Sequence, residues 1–233
     1  YSPAPVFKDS TTVLTFGGPI IKDKLFFFAA FEDLKSSRNT PEFGTLGSSL
    51  TNVGLTSGFV GNVQNTANSR YGIGVGDLNA TGSELTVKDT MFKLDWNIND
   101  AHRAYLRYSK TDQTEPIYPG FGSRTLTLSS HWYEQVKSFD SMMAQWFADW
   151  SPTFSTEVKV SRRNYESEPD NNSRMPVVAL NVASGTTART LTFGTERSRH
   201  FNELATKAND LYLGANLRLG AHEVKAGVDI TRI

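Results

Sequence analysis

The sequence predicts an all-β protein: an antiparallel transmembrane β-barrel fragment of about eight strands in four hairpins, with short periplasmic turns and long extracellular loops. Three observations predict it. Apolar and polar residues alternate with period two in paired runs. Short turns join the runs within a pair, and long links join one pair to the next. The longest apolar run is the seven residues Leu25 to Phe31, far short of the ~18–20 residues of a membrane helix. A barrel strand escapes that last test, because only every second residue faces lipid.

The last hairpin carries the clearest alternation. Leu211, Leu213, Ala215, Leu217 and Leu219 share one face, with Asp210, Tyr212, Gly214, Asn216 and Arg218 opposite. After a turn at Gly220-Ala221-His222, Val224, Ala226, Val228 and Ile230 alternate with Glu223, Lys225, Gly227 and Asp229. Upstream, Thr90, Phe92, Leu94 and Trp96 alternate with Asp89, Met91, Lys93, Asp95 and Asn97. Past Asn99-Asp100, Ala104, Leu106 and Tyr108 alternate with Arg103, Tyr105, Arg107 and Ser109. Met142, Ala144, Trp146, Ala148 and Trp150 form the next apolar face, with Phe147 an exception on the polar side; Thr156, Val158 and Val160 follow the turn at Ser151-Pro152-Thr153. The first hairpin is the least regular: Val13 to Ile20, a turn at Lys22-Asp23, then Leu25 to Leu34.

The links between hairpins, 36–88, 112–131 and 166–207, are rich in Gly, Ser, Thr and Asn and read as long loops. Structureless loops of that size are uncommon in compact soluble domains. Trp96, Trp146, Trp150 and Phe154 fall near the short turns, and Tyr108, Trp132 and Tyr133 toward the long links. Two readings stand for these aromatics: interfacial girdles, or ordinary packing in a sheet.

Composition excludes several classes. The 24 basic and 24 acidic residues balance, which gives no electrostatic footprint for nucleic acid. Cysteine is absent, removing disulfides, thiolate metal sites and cysteine nucleophiles. The chain opens at Tyr1-Ser2-Pro3 and stops at Ile233 in a strand-like run, and is read as a piece of a longer protein.

The run Phe16-Gly17-Gly18-Pro19-Ile20-Ile21-Lys22-Asp23-Lys24-Leu25-Phe26-Phe27-Phe28 closely resembles the early barrel hairpin of Oar-like TonB-dependent outer-membrane receptors. In that family the segment follows the plug domain and forms the first periplasmic turn region. Lys93-Leu94-Asp95-Trp96-Asn97-Ile98-Asn99-Asp100-Ala101-His102-Arg103, running into Leu106-Arg107-Tyr108, is similar to the family's next hairpin. Beyond residue 112 the likeness is one of architecture. The resemblance implies that residues 1–233 are a partial outer-membrane barrel domain, lacking the N-terminal regulatory-like domain, the plug and the remaining strands. About eight of roughly twenty-two strands would be present, too few to close such a barrel. It implies a location in the bacterial cell outer membrane. The implied partners are outer-membrane lipid, a transported ligand of unknown kind, and the TonB complex through the missing N-terminal part.

Motifs for chemistry are weak. Gly72-Ile73-Gly74-Val75-Gly76 lacks the following helix and Lys-Ser/Thr of a phosphate cradle and reads as a flexible loop. Asp77, Asn79, Thr81 and Gly82 match the opening of an EF-hand, but Lys88 stands where the bidentate carboxylate belongs, leaving only a looser calcium loop open. The four histidines, His102, His131, His200 and His222, are scattered, and no Gly-x-Ser-x-Gly elbow occurs. Asn79-Ala80-Thr81 and Asn171-Asn172-Ser173 are sequons without a role expected in a bacterial protein. No catalytic, metal or cofactor residues are expected, and the chain is not read as an enzyme.

The candidate functional residues are the charges of the polar face: Glu32, Lys93, Asp95, Arg103, Arg107, Lys159, Arg218, Lys225 and Asp229, with Glu157 and Glu223 beside them. They read as a hydrated lumen wall whose ions satisfy one another and the plug. A sharper reading makes Arg103, Arg107 and Arg218 contacts for an anionic substrate or the plug, with Tyr71, Tyr118 and Trp132 as loop contacts. Three functions compete: energy-coupled uptake of a bulky scarce ligand, surface adhesion through the long loops, and a soluble β-rich extracellular enzyme or binding domain.

Overall fold

The computed structural model describes residues 8–38, 40–80, 84–184 and 187–233. In chain order its elements are β1 (Asp9–Ile21), β2 (Leu25–Ser37), β3 (Phe43–Leu46), β4 (Thr51–Thr56), α1 (Ser57–Tyr71), β5 (Glu84–Asn99), β6 (His102–Ile117) and β7 (Thr125–Thr127). They continue with β8 (Tyr133–Ser151), β9 (Phe154–Asn171), β10 (Val178–Ser184), β11 (Thr187–Phe193), β12 (Leu204–Leu219) and β13 (His222–Arg232). Short 3-10 turns lie at Ser129–His131 and Arg199–Phe201.

Eight long strands form one antiparallel sheet in the order β1-β2-β5-β6-β8-β9-β12-β13. The all-β antiparallel class and the four hairpins agree with the alternation. The turns are tight: Asp23 takes φ 61 and Gly220 φ 60, the left-handed conformation that Gly and, less readily, Asp tolerate.

Register places the expected faces on opposite sides. One hydrogen-bonded row runs Phe27–Leu94–Leu106–Ala144–Val160–Leu211–Ile230, apolar on seven strands. Most large exposed apolar side chains lie on this face, among them Phe16 at 71% and Trp96, Met142, Trp150 and Val228 at 50–54%. The face therefore presents a continuous apolar patch that water does not tolerate well.

Both borders of the apolar band step across the sheet. Toward the long links, the last large apolar residue is Phe31, Phe92, Tyr108, Met142, Val160, Leu211 and Ile230 on successive strands from β2. Next on the same face come Asp33, Thr90, Lys110, Asp140, Arg162, Asn209 and Arg232. This border drops by two rows between β2 and β13, since Phe31 is level with Thr90 and Lys110, while Met142 is level with Arg162 and Asn209. The short turns step the same way, each hairpin reaching one row further: to Leu25, then His102, then Phe154, then Leu219. The turns step two residues (~6.6 Å) per two strand spacings (~9.6 Å), a strand tilt of ~35°, and the border toward the long links steps four residues (~13 Å) over six spacings (~29 Å), a tilt of ~25°.

The long links are not structureless, which corrects the sequence expectation. The strands run past the band, β6 to Ile117, β9 to Asn171, and β8 from Tyr133 over 19 residues. Beyond them the three links fold together into a cap. β11 pairs antiparallel with β10 and parallel with β7, and β3 pairs with β4. Helix α1 starts where the Thr56 hydroxyl accepts the Phe59 N–H at 3.1 Å and ends at Gly72, φ 64. Val53, Leu55, Val60, Ala67, Val75, Leu126, Leu128, Leu191 and Phe193 form the cap's core. Leu126, Leu128 and Leu191 have 0% exposure, so this cap, and not the sheet, holds the best-buried hydrophobic cluster among the described residues.

Candidate functional site

The nine sequence-selected charges lie on the polar face of the sheet, as alternation required, but only part of them form a cluster. Lys93 and Arg107 are direct cross-strand partners, in the row that continues to Met143, Ser161 and Asp210. The next row is Asp95–Tyr105–Gln145–Lys159–Tyr212–Asp229, and the one after it Asn97–Arg103–Phe147–Glu157–Gly214–Gly227. Lys93, Asp95, Arg103, Arg107, Lys159 and Asp229 thus share three adjacent rows. Glu32 sits apart, opposite Asp89, and Arg218 and Lys225 lie nearer the last turn, opposite Glu223 and Asn216.

Aromatic rings partner several of these cations. Lys93 lies 5.0 Å above the Tyr105 ring, Arg103 4.9 Å above Phe147 and Lys159 5.3 Å above Tyr212. Phe147, an exception to the alternation, is therefore the seat of a guanidinium. Lys93 also pairs with Asp95 at 2.6 Å, and Lys225 with Glu223 at 3.5 Å. The Tyr105 hydroxyl donates to Gln145, whose amide donates to Glu157, linking three strands. Among the described residues no ion pair forms at Glu32, Arg103, Arg107, Lys159, Arg218 or Asp229.

Sequence reasoning missed the most connected carboxylate of this face, Asp210. It accepts both Arg163 nitrogens (3.1 and 2.9 Å), Ser161 (2.8 Å) and Thr231 (2.9 Å) across β9, β12 and β13. The signal was present, since Ser161, Arg163 and Asp210 have the same parity as Lys159. Toward the turns, a hollow of about 480 Å³ is walled by Arg103, Glu157, Tyr212 and Lys225, with Gly214 and Gly227 paired at its floor. This wall offers cations, carboxylates and ring faces that can bind and orient polar or anionic groups.

The cap corrects four further expectations. The histidines are not all scattered: His131 and His200 meet with ring centroids 5.2 Å apart, both buried. His131 Nδ1 donates to the Gly194 carbonyl (2.6 Å), and His200 Nε2 donates to the His131 carbonyl (2.9 Å). His200 Nδ1 accepts the Glu196 N–H at 3.0 Å, which leaves Nε2 as the donor nitrogen of that ring. Trp132 and Tyr133 belong to no girdle; both are buried here, Trp132 donating to Thr127 (2.9 Å) and Tyr133 packing on His200. That burial also removes Trp132 from the open loop contacts, and Tyr118 packs edge-on against it. The Gly72–Gly76 stretch is held, not flexible: Gly76 accepts Gln64 (2.8 Å) and Val75 is buried. Thr81 and Gly82 of the calcium pattern, and with them one sequon, lie outside the described residues.

The His131–Gly194 contact makes the cap sensitive to acid. Burial pushes the His131 imidazole below its ordinary 6.5, outweighing the Gly194 carbonyl. The unfolded chain takes up a proton near 6.5 that the folded site refuses. Stability from this group is therefore full above 6.5 and falls as the pH drops below it. Burial alone would raise the Glu196 carboxyl, but N–H donors from Ser198, Arg199 and His200 hold it below its ordinary value, adding a loss at still lower pH. Amide protection across 194–200 is expected to fall between pH 7 and 5, with His131→Gln flattening that dependence. Protection unchanged down to pH 5 would contradict it. Gly194 is a second point of failure: at φ 78, a Cβ would lie 2.3 Å from the Pro176 carbonyl. Gly194→Ala is expected to cost ~1–3 kcal/mol of cap stability, read as increased proteolysis near 194–200; an unaltered digest would mean the backbone there relaxes freely.

No family model matches the sequence, and no curated protein matches it. Among solved structures, the crystal structure of the Pseudomonas putida toluene transporter TodX resembles it with a TM-score of 0.37 at 12% identity. The match covers 97% of this chain and 55% of that one, so the chain spans about half the length of the structure it matches.

Proposed function

We propose that this chain is a section of the wall of an outer-membrane β-barrel that serves TonB-coupled uptake of a bulky ligand. The observation that carries the barrel reading is the apolar band with its two stepped borders. Met142 to Trp150, or Leu211 to Leu219, spans nine residues of tilted strand, on the order of 20 Å measured along the membrane normal, close to the ~25 Å apolar belt of outer-membrane barrels. A soluble sheet would bury such a face, but the described residues cover it with nothing, whereas the polar face carries charges of both signs. The ~35° tilt given by the short turns falls in the range by which barrels close. TonB coupling and uptake are supported by the Phe16-to-Phe28 resemblance. The wall's hydrated charges and ring-seated cations suit a path lined for a polar cargo or a plug.

Two measurements test this. The full-length protein, expressed in a Gram-negative host, is expected in the outer-membrane fraction and insoluble without detergent; recovery in the soluble fraction sinks the barrel reading. Purified TonB C-terminal domain is expected to bind the full-length protein. A membrane-embedded protein that fails to bind it favours the adhesive function, which the folded cap would serve as a surface platform.

A further inference from the structure

We propose that the corner of the apolar face formed by β9, β12 and β13 holds a phosphorylated lipid, with its phosphate on Arg162, Lys207 and Arg232. This rests on the placement of the sheet in a bilayer. Arg162, Asn209 and Arg232 occupy one row, and Lys207 stands two residues beyond Asn209 toward the cap, opposite Asn164. Arg162, Lys207, Asn209 and Arg232 are all exposed. Adjacent strands are ~4.8 Å apart, so the two arginines flank Asn209 with Cα atoms ~10 Å apart and Lys207 ~7 Å above it. Side chains of that length converge on one headgroup, and guanidinium forks suit phosphate oxygens.

Charge balance singles out this corner. Elsewhere along the same border the cations either meet carboxylates or stand singly, as Lys35 does opposite Ser10 and Thr86. Lys88 lies opposite Asp33 and Asp112, and Lys110 lies opposite Asp140 and 2.8 Å from Asp112. Arg162, Lys207 and Arg232 form no ion pair among the described residues. The nearest acids on that face are Asp140, already holding Asn164 at 2.9 Å, and Glu166, at the margin opposite Ala205. The surface below identifies the source of the phosphate as a lipid. Directly under the cations lie the rows Val160–Leu211–Ile230 and Val158–Leu213–Val228. Six aliphatic side chains without an intervening ring or charge form a bed for acyl chains, and a free phosphate would have no use for it. Uncompensated cations at the border of a hydrocarbon layer attract anionic headgroups.

The test uses the full-length protein in detergent, exchanged into nanodiscs of phosphatidylcholine with or without lipid A, with retained lipid counted by mass. Wild type is expected to retain lipid A, and R162Q/K207Q/R232Q to retain it about tenfold less or worse, with K88Q unchanged. Added inorganic phosphate at millimolar concentration is expected not to displace it; displacement would make the site one for free phosphate and overturn the proposal. Equal retention by the triple variant and wild type overturns it too. Should the triple variant not insert, salt titration of wild type decides: retention that falls with salt supports the site, and salt-insensitive retention sinks it. A protein that enters the disc but holds lipid A no better than phosphatidylcholine refutes this site alone, whereas one that never enters refutes the membrane placement.

Discussion

Replacing Leu213 by arginine is expected to destabilise the bilayer-folded protein by about 2–4 kcal/mol, the cost of a cation near the membrane midplane on a barrel's lipid face. Leu213 sits in the row Leu25–Trp96–Ala104–Trp146–Val158–Leu213–Val228, with apolar rows on either side of it in β12. Among the described residues, the positions around it on that face offer the guanidinium no carboxylate. Lys225→Gln, next to Val224 at the end of the β13 apolar run but on the polar face, is expected to leave stability nearly unchanged, because the exposed Lys225–Glu223 pair is weak. Urea titration of folding into bilayers measures both. A near-zero cost at Leu213 combined with a large one at Lys225 would mean the two faces are inverted.

The second large effect is in the cap. Leu191→Ala is expected to cost ~2–5 kcal/mol of cap stability, since it empties a fully buried site that the surrounding strands cannot refill. Leu191 pairs with Leu126 across the parallel β11–β7 contact, which joins the third link to the second beside the His131–Gly194 and His200–His131 hydrogen bonds. Hydrogen exchange should therefore rise together in β4, α1, β7, β10 and β11 while the eight-stranded sheet stays protected. An increase confined to β10 and β11 would show that the links fold independently and that no common cap exists.

The part of the fold legible in the sequence was the part where the two faces of a strand meet different solvents. Alternation from Leu211 to Leu219 or from Phe92 to Trp96 exists because one face is apolar and the other wet. Beyond the border both faces carry polar side chains, and the signal vanishes. That is why β6 continues through Lys110 and Asp112 to Ile117, and β9 through Arg162 and Asn164 to Asn171, where the sequence suggested loops. Helix α1 was hidden for another reason: Gly58, Gly61 and its Asn, Ser and Thr residues have poor helix propensity. Its stability comes from packing on β-strands drawn from all three links, which no local window contains.

The candidate site divides the same way. Parity alone put all nine charged residues on one face. It could not rank them, because partnership depends on cross-strand register: Asp210 gathers Arg163, Ser161 and Thr231 from two other strands, and Phe147 receives Arg103 from a third. His131 and His200 are 69 residues apart in sequence, and only the folded cap brings them together. Trp132 and Tyr133 looked interfacial because strong amphipathic rings at a strand end suit a membrane border equally well; the cap buries them first.

Single cysteines introduced along β9 measure the central claim directly: these 233 residues contain no cysteine, and any in the rest of the full-length protein is first replaced by serine. In full-length protein reconstituted into bilayers, a membrane-impermeant maleimide is expected to label positions 155, 157, 159 and 161 and to spare 156, 158 and 160. From 162 onward labelling should occur on both faces, because the apolar border lies between Val160 and Arg162. Uniform labelling from 155 to 161, or alternation that persists unchanged to 166, would contradict a lipid-facing band with its edge at that point.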